Sequence, residues 1–187
     1  MIPLRHLPNL ISILRILLVP VLVVLLRTPS RTGALLAALT FFLACWSDFL
    51  DGYLARRHGI TSTLGKLLDP LADKLIVMAA LVMLAAMPRS PRVPAWVVVV
   101  IVGRELAVTG LRAMATSEGI VLAAEELGKY KTIFQMLALH GLLLHYTFFG
   151  IDFFAGGMYF LWPSLVLSLW SAVDYHVRVF RQFAHAP

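Results

Sequence analysis

The stretch from Asp48 to Asp73, which reads DFLDGYLARRHGITSTLGKLLDPLAD, contains four of the six aspartates of this 187-residue chain. The sequence on both sides of it is apolar enough to cross a bilayer as a helix. Carboxylates in such surroundings are costly, because they lose hydration and repel one another. A bound divalent cation would remove this cost, and four neighbouring acids favour more than one cation.

The composition predicts a membrane protein. Hydrophobic residues make up 60% of the chain and charged residues 14%, and the mean hydropathy is +0.85. Soluble domains average roughly 45–50% apolar and about 25% charged residues. We expect an all-α, polytopic fold in a single six-helix transmembrane catalytic domain over residues 1–187, with residues 1–9 as a short interfacial segment. The expected spans are Leu10–Leu26, Gly33–Ala55, Leu67–Met87, Ala95–Met114, Thr132–Phe149 and Phe153–Val173.

The basic residues predict the orientation of these spans. Most of them lie at the helix ends on the side of the N-terminus, and the other side holds Arg27, Arg31, Arg89 and Arg92. The positive-inside rule therefore places both termini and the aspartates at the cytoplasmic face of the cell (inner) membrane. Basic residues facing anionic lipids also account for the net charge of +6, so we expect no nucleic-acid partner.

Helical spacing turns the aspartates into two pairs. Asp48 and Asp51 are three residues apart, and Asp69 and Asp73 are four apart, so each pair shares one helix face. Oxygen donors without thiolate or histidine favour Mg²⁺ or Mn²⁺. Two such ions can stabilise the attacking and leaving oxygens of a phosphoryl transfer. Small residues on the same stripes leave room for a ligand: Gly52, Ala55 and Gly65.

Two other interpretations of the aspartates remain open. They could form a salt-bridged cluster at the helix ends with Arg56, Arg57, Lys66 and Lys74, although this leaves the aligned small residues unexplained. They could also serve an ion-coupled transporter, since aspartates within membranes often carry ions. Transporters commonly contain an internal repeat. Here the second half of the chain has basic residues in place of another acidic pair.

The whole pattern, D-x2-D-G-x2-A-R-x8-G-x3-D-x3-D from Asp48 to Asp73, resembles the signature of the CDP-alcohol phosphatidyltransferases in every position. The resemblance implies a six-helix membrane enzyme, usually a homodimer, that binds a CDP-linked lipid and two divalent cations, Mg²⁺ or Mn²⁺. It implies that Asp73 is also the general base. The implied metal ligands are Asp48, Asp51, Asp69 and Asp73. The implied CDP-lipid-binding residues are Asn9, Asp48, Asp51, Gly52, Ala55, Arg56, Gly65 and Asp69.

The opening of the first predicted span carries a second resemblance. The segment Asn9-Leu-Ile-Ser12-Ile-Leu-Arg15 is similar to the Asn-x2-Thr-x2-Arg opening of the phosphatidylglycerophosphate synthase branch of that family. Ser12 replaces the usual threonine and keeps its hydroxyl. Residues 103–112 and 128–132 are similar to the acceptor-side segments of the same branch.

Basic residues in the fourth and fifth helices predict an anionic second substrate. Arg104 and Arg112 lie about 12 Å apart along one helix, and Lys129 and Lys131 open the next. Glu105 is nearly in line with Arg112 and could pair with it, but one glutamate cannot neutralise the set. A phosphate monoester would balance it. The predicted acceptor phosphate-binding residues are Arg104, Arg112, Lys129 and Lys131.

Together these features imply transfer of the phosphatidyl group from CDP-diacylglycerol to the primary hydroxyl of sn-glycerol 3-phosphate, giving phosphatidylglycerophosphate and CMP. Membrane lipids would surround the helices, and the lipid chains of the donor would enter sideways between them. The signature specifies the donor and the metals but not the alcohol. A relative that uses phosphatidylglycerol or inositol phosphate as acceptor therefore remains an alternative.

Overall fold

The computed structural model describes the backbone of residues 7–58, 63–119 and 126–185, and the side chains within 12–47, 71–119 and 128–183. These residues form six helices and one small hairpin, so the predicted all-α class is confirmed over the described ranges. The elements are α1 (Leu7–Arg27), α2 (Arg31–His58), α3 (Thr63–Ala86), α4 (Ala95–Ser117), α5 (Glu126–Leu144), β1 (Thr147–Phe148), β2 (Ile151–Asp152) and α6 (Phe153–His185).

Polar residues at two helix starts explain where those helices begin. Before α2, the Ser30 hydroxyl accepts a hydrogen bond from the Gly33 backbone N–H at 2.9 Å. Before α6, the Asp152 carboxylate accepts one from the Ala155 backbone N–H at 3.0 Å. Each bond satisfies a backbone donor that has no partner within the first turn of its helix.

The fifth helix ends earlier than the sequence predicts. The expected span Thr132–Phe149 is wrong at its end, because α5 stops at Leu144 and a hairpin follows. Strands β1 and β2 pair antiparallel around Phe149 and Gly150, whose φ angles of 53° and 78° are both positive. Such a two-residue turn needs positive φ at both positions, which glycine adopts without strain. The aromatic residues of the hairpin extend the apolar run past the end of the helix, so hydropathy alone misplaces that end.

The helices pack around one central core. Helix α1 packs against α2 and α3, α2 also contacts α5, and α6 packs most extensively on α5 and also on α4. Helices α5 and α6 cross closely at Gly141 and Gly157, since neither residue has a side chain. A Cβ atom on Gly141 would lie only 2.9 Å from the Gly157 backbone. A second, smaller cluster lies between α4 and α6 and includes Val108, Leu111 and Tyr175. Each of the six helices contributes a fully buried side chain to the core: Leu22, Phe41, Leu81, Ile101, Leu139 and Leu161.

The outer surface of the described helices is rich in large apolar side chains, among them Leu17, Val99, Val166 and Trp170. In the described part of the chain, one helical segment, Phe153–Phe183, is long and apolar enough to cross a membrane, and a shorter apolar segment covers Arg31–Ser47. The six-helix architecture is therefore confirmed there, whereas six membrane crossings and a single domain over residues 1–187 stay predictions.

Candidate active site

The four aspartates of the signature lie on helices, as their spacing predicted. Asp48 and Asp51 fall within α2, Asp69 and Asp73 fall within α3, and these two helices are in contact. Each pair therefore lies on one face of its helix. Asn9 and all fixed residues of the signature except Asp73 lie outside the ranges in which side chains are described, so their assigned roles stay predictions. These residues are Asn9, Asp48, Asp51, Gly52, Ala55, Arg56, Gly65 and Asp69.

The described member of the signature, Asp73, is held by a buried arginine. Its carboxylate accepts a hydrogen bond of 2.7 Å from Nη1 of Arg15 on α1. The Arg15 side chain is 1% exposed and that of Asp73 is 44% exposed. Sequence reasoning included Arg15 in the opening motif but gave it no role. The sequence did contain an indication of this role, because an arginine inside an apolar helix needs an anionic partner.

Asp73 faces a cavity of about 300 Å³, which we call the aspartate cavity. The polar side chains of its lining come from four helices, and Arg15 is among them. Apolar side chains of α2 and α3 form part of the remaining wall, including Ala44 and Ile76. The carboxylate predicted to act as the base is therefore accessible to a small ligand.

All four residues predicted to bind the acceptor phosphate line a second, larger cavity of about 540 Å³, which we call the basic cavity. It lies between α4, α5 and α6, with Lys74 of α3 at one side. The structure thus brings together residues that are up to 27 positions apart in the chain. Their binding of a phosphate stays a prediction. The four residues are Arg104, Arg112, Lys129 and Lys131.

Glu105 organises two of these cations. Its Oε1 accepts a hydrogen bond from Nη1 of Arg104 at 2.9 Å and another from Nζ of Lys131 on α5. Arg104 also reaches α6, where its Nε donates to the Ser168 carbonyl at 2.8 Å and its Nη2 donates to the Ser171 hydroxyl. The network therefore fixes α4, α5 and α6 relative to one another.

The alternative that Glu105 pairs with Arg112 is not what the structure shows, because Glu105 pairs with Arg104 and Lys131. Seven residues along a helix correspond to about 10 Å, whereas Lys131 on the neighbouring helix is in direct contact with Glu105. Arg112 is exposed and lies over the ring of Tyr175, with its guanidinium carbon 5.6 Å from the ring centroid. Within the described side chains, Arg112 forms no ion pair and stays available to a ligand.

Lys74 connects the two cavities. It follows Asp73 in the chain, and its Nζ donates a hydrogen bond to the Thr109 hydroxyl on α4. Lys74, Glu105, Lys131 and Thr132 line both cavities and so form a shared wall between them. Asp73 lines the smaller cavity but not the larger, whereas Arg112 and Lys129 line the larger but not the smaller. The residue predicted to accept the proton and the residues predicted to bind the phosphate thus line two adjoining cavities.

Comparison with known proteins identifies the family of the chain. A sequence profile described as CDP-alcohol phosphatidyltransferase matches residues 5–170. The Bacillus subtilis protein named CDP-diacylglycerol–glycerol-3-phosphate 3-phosphatidyltransferase is 40% identical over 184 residues, which cover 92% of this chain and 90% of the relative. A Haemophilus influenzae protein of the same name is 33% identical over 174 residues, or 91% of each chain.

A plant relative extends the similarity. The Arabidopsis thaliana CDP-diacylglycerol–glycerol-3-phosphate 3-phosphatidyltransferase 2 is 35% identical over 186 residues, covering 94% of this chain and 80% of the relative. Because the profile and these relatives each match most of the chain, the protein belongs to the CDP-alcohol phosphatidyltransferase family.

Proposed function

We propose that this protein transfers the phosphatidyl group from CDP-diacylglycerol to sn-glycerol 3-phosphate, giving phosphatidylglycerophosphate and CMP. One observation carries this proposal. A cavity lined by Arg104, Arg112, Lys129 and Lys131 shares a wall with the cavity that contains Asp73. The names of the relatives from Bacillus subtilis and Haemophilus influenzae support the same reaction and the same acceptor.

In the proposed mechanism, the basic cavity binds the acceptor phosphate. Arg112 and Lys129 are exposed and contact the phosphate directly. Arg104 and Lys131 are held by Glu105 and keep the cavity positively charged close to the wall. Charge-assisted hydrogen bonds of this kind are stronger than neutral ones and fix the orientation of the acceptor. The primary hydroxyl of the acceptor then points toward the aspartate cavity.

Asp73 removes the proton from that hydroxyl as the hydroxyl oxygen bonds to the phosphorus of the phosphatidyl group. The bond between this phosphorus and the bridging oxygen of the pyrophosphate breaks, and CMP leaves with the electron pair. The buried guanidinium of Arg15 orients the Asp73 carboxylate through their 2.7 Å hydrogen bond. Holding a reacting group in position in this way lowers the entropic part of the barrier.

The donor set fits two divalent cations, Mg²⁺ or Mn²⁺. Its four aspartates occupy paired positions on two helices that are in contact, and the side chain that the structure describes, Asp73, lines a cavity. Hard cations prefer such oxygen donors. Cations held by these aspartates would polarise the pyrophosphate and stabilise the negative charge on the departing CMP. The proposed ligands are Asp48, Asp51, Asp69 and Asp73, and the CDP-lipid lies against Asn9, Asp48, Asp51, Gly52, Ala55, Arg56, Gly65 and Asp69.

The proposed setting is a homodimer in the cell (inner) membrane, with several crossings per chain and with both termini and the active site on the cytoplasmic side. Outward-facing apolar side chains on the described helices support contact with lipid tails. Water-soluble acceptors reach the basic cavity from the cytoplasm, and the lipid chains of the donor lie between helices.

The reaction is tested by incubating the purified, detergent-solubilised protein with CDP-diacylglycerol, Mg²⁺ or Mn²⁺ and a panel of acceptors, with CMP release as the measurement. We expect release with sn-glycerol 3-phosphate and none after chelation of the metal. Release with phosphatidylglycerol or inositol phosphate alone would replace the proposed acceptor. No release with any acceptor would contradict the enzyme proposal and favour an ion-coupled transporter.

A further inference from the structure

The positions of the two cavities constrain how the acceptor can bind. This inference rests on the proposed function. The cations free to bind its phosphate, Arg112 and Lys129, line only the basic cavity, and Asp73 lines only the aspartate cavity. Glycerol 3-phosphate carries its phosphate and its reactive hydroxyl on opposite terminal carbons. Its middle carbon, which carries a second hydroxyl, therefore lies at the shared wall.

The Oε2 atom of Glu105 can accept a hydrogen bond from a ligand at this wall. Both recorded hydrogen bonds of Glu105, from Arg104 and Lys131, end on Oε1. No donor among the described side chains and backbone bonds to Oε2. The Glu105 side chain is 17% exposed and lines both cavities, so a ligand in either can reach it. An ionised carboxylate oxygen only accepts hydrogen bonds, and a hydroxyl is a donor that the proposed acceptor brings to these cavities.

We propose that Oε2 of Glu105 accepts a hydrogen bond from the middle hydroxyl of the acceptor and so selects acceptors that carry this hydroxyl. Together with the phosphate contacts and Asp73, the contact makes a third point of attachment. Three points distinguish the two mirror images of glycerol phosphate, because in the mirror image the middle hydroxyl points away from Glu105. Arg104 and Lys131, which lie on different helices, hold the carboxylate in place for this contact.

The first test needs no variant. CMP release is compared between sn-glycerol 3-phosphate and 3-hydroxypropyl phosphate, which lacks only the middle hydroxyl. A hydrogen bond to a charged group predicts that kcat/KM is about 10- to 100-fold lower for the analogue. We expect a similar deficit for the mirror image, sn-glycerol 1-phosphate. Equal kcat/KM values for all three acceptors would overturn the role of Glu105, whereas failure of all three would contradict the proposed function itself.

A Glu105→Gln variant then assigns the discrimination to this residue. Loosening Lys131 and Arg104 lowers kcat/KM for both acceptors alike, because both carry the phosphate. Loss of the charged hydrogen bond affects only the acceptor with the middle hydroxyl, so the ratio of the two kcat/KM values falls by about fivefold or more. The matched control is Glu118→Gln, at the exposed end of the same helix, which leaves the ratio unchanged. An unchanged ratio in folded Glu105→Gln would refute the assignment. If this variant does not fold, the proposal is judged on the unmodified protein, where equal kcat/KM values for the two mirror images of glycerol phosphate would refute it.

Discussion

The crossing of α5 and α6 gives a quantitative prediction for Gly157→Ala. A Cβ atom at Gly157 would lie 2.6 Å from the Leu142 backbone nitrogen and 2.9 Å from the Ala138 carbonyl oxygen. Ordinary contact begins at 3.4 Å, so the helices must separate locally by at least 0.8 Å. Overpacking against backbone atoms costs about 1–3 kcal/mol. The higher helix propensity of alanine offsets up to about 1 kcal/mol of this cost.

Gly156→Ala is the matched control for this change. A Cβ atom at Gly156 meets no described atom within 4 Å, so that variant has the propensity gain without the clash. The difference between the two variants therefore isolates the overpacking cost. The midpoints of thermal unfolding of the two detergent-solubilised variants should differ by about 2–12 °C, with Gly157→Ala the less stable, because 1 kcal/mol shifts the midpoint of a chain of this size by about 2–4 °C. Equal midpoints would refute the close crossing of α5 and α6.

Three further predictions concern the reaction. Asp73→Asn should abolish CMP release while CDP-diacylglycerol still binds, as measured by equilibrium binding of labelled donor, and full activity would remove Asp73 as the base. Arg112→Ala should raise the apparent KM for glycerol 3-phosphate by about tenfold, with exposed Arg92→Ala as control, and an unchanged KM would remove Arg112 from the pocket. Arg15→Gln should lower kcat by about tenfold at saturating substrates, because the Asp73 carboxylate loses its orienting hydrogen bond; an unaltered kcat would show that this bond is not needed.

Much of the fold could be predicted because long apolar helices leave a clear pattern in a sequence. Long apolar runs separated by breakers located all six helices, and helical periodicity placed the aspartates in pairs. The end of α5 was misplaced because Phe148 and Phe149 are as apolar as a helix interior, although they belong to a hairpin. Hydropathy reports the environment of a residue and carries little information about its backbone angles.

The candidate site divides in a similar way. Local spacing grouped Arg104 with Arg112 and Lys129 with Lys131, and the structure brings all four to one cavity. Spacing could not identify ion-pair partners, because these depend on which helix faces which. Glu105 therefore pairs with Lys131, 26 residues away, and not with a residue of its own helix two turns on. A lone arginine in an apolar helix indicated that Arg15 needs an anion, but not which one.

The sequence by itself determined the helical class, the family signature and the kinds of chemical group at the site, because each is set by residue type and by spacing within one helix. Only the tertiary structure decided which of those groups pair with one another and which cavity each of them lines. It placed Arg15 of α1 on Asp73 of α3, and it joined α4, α5 and α6 through Glu105 and Arg104. It also placed Asp73 in one cavity and Arg112 and Lys129 in an adjoining one, with Glu105 lining both. These contacts arise from packing between helices, which no pattern within one helix records.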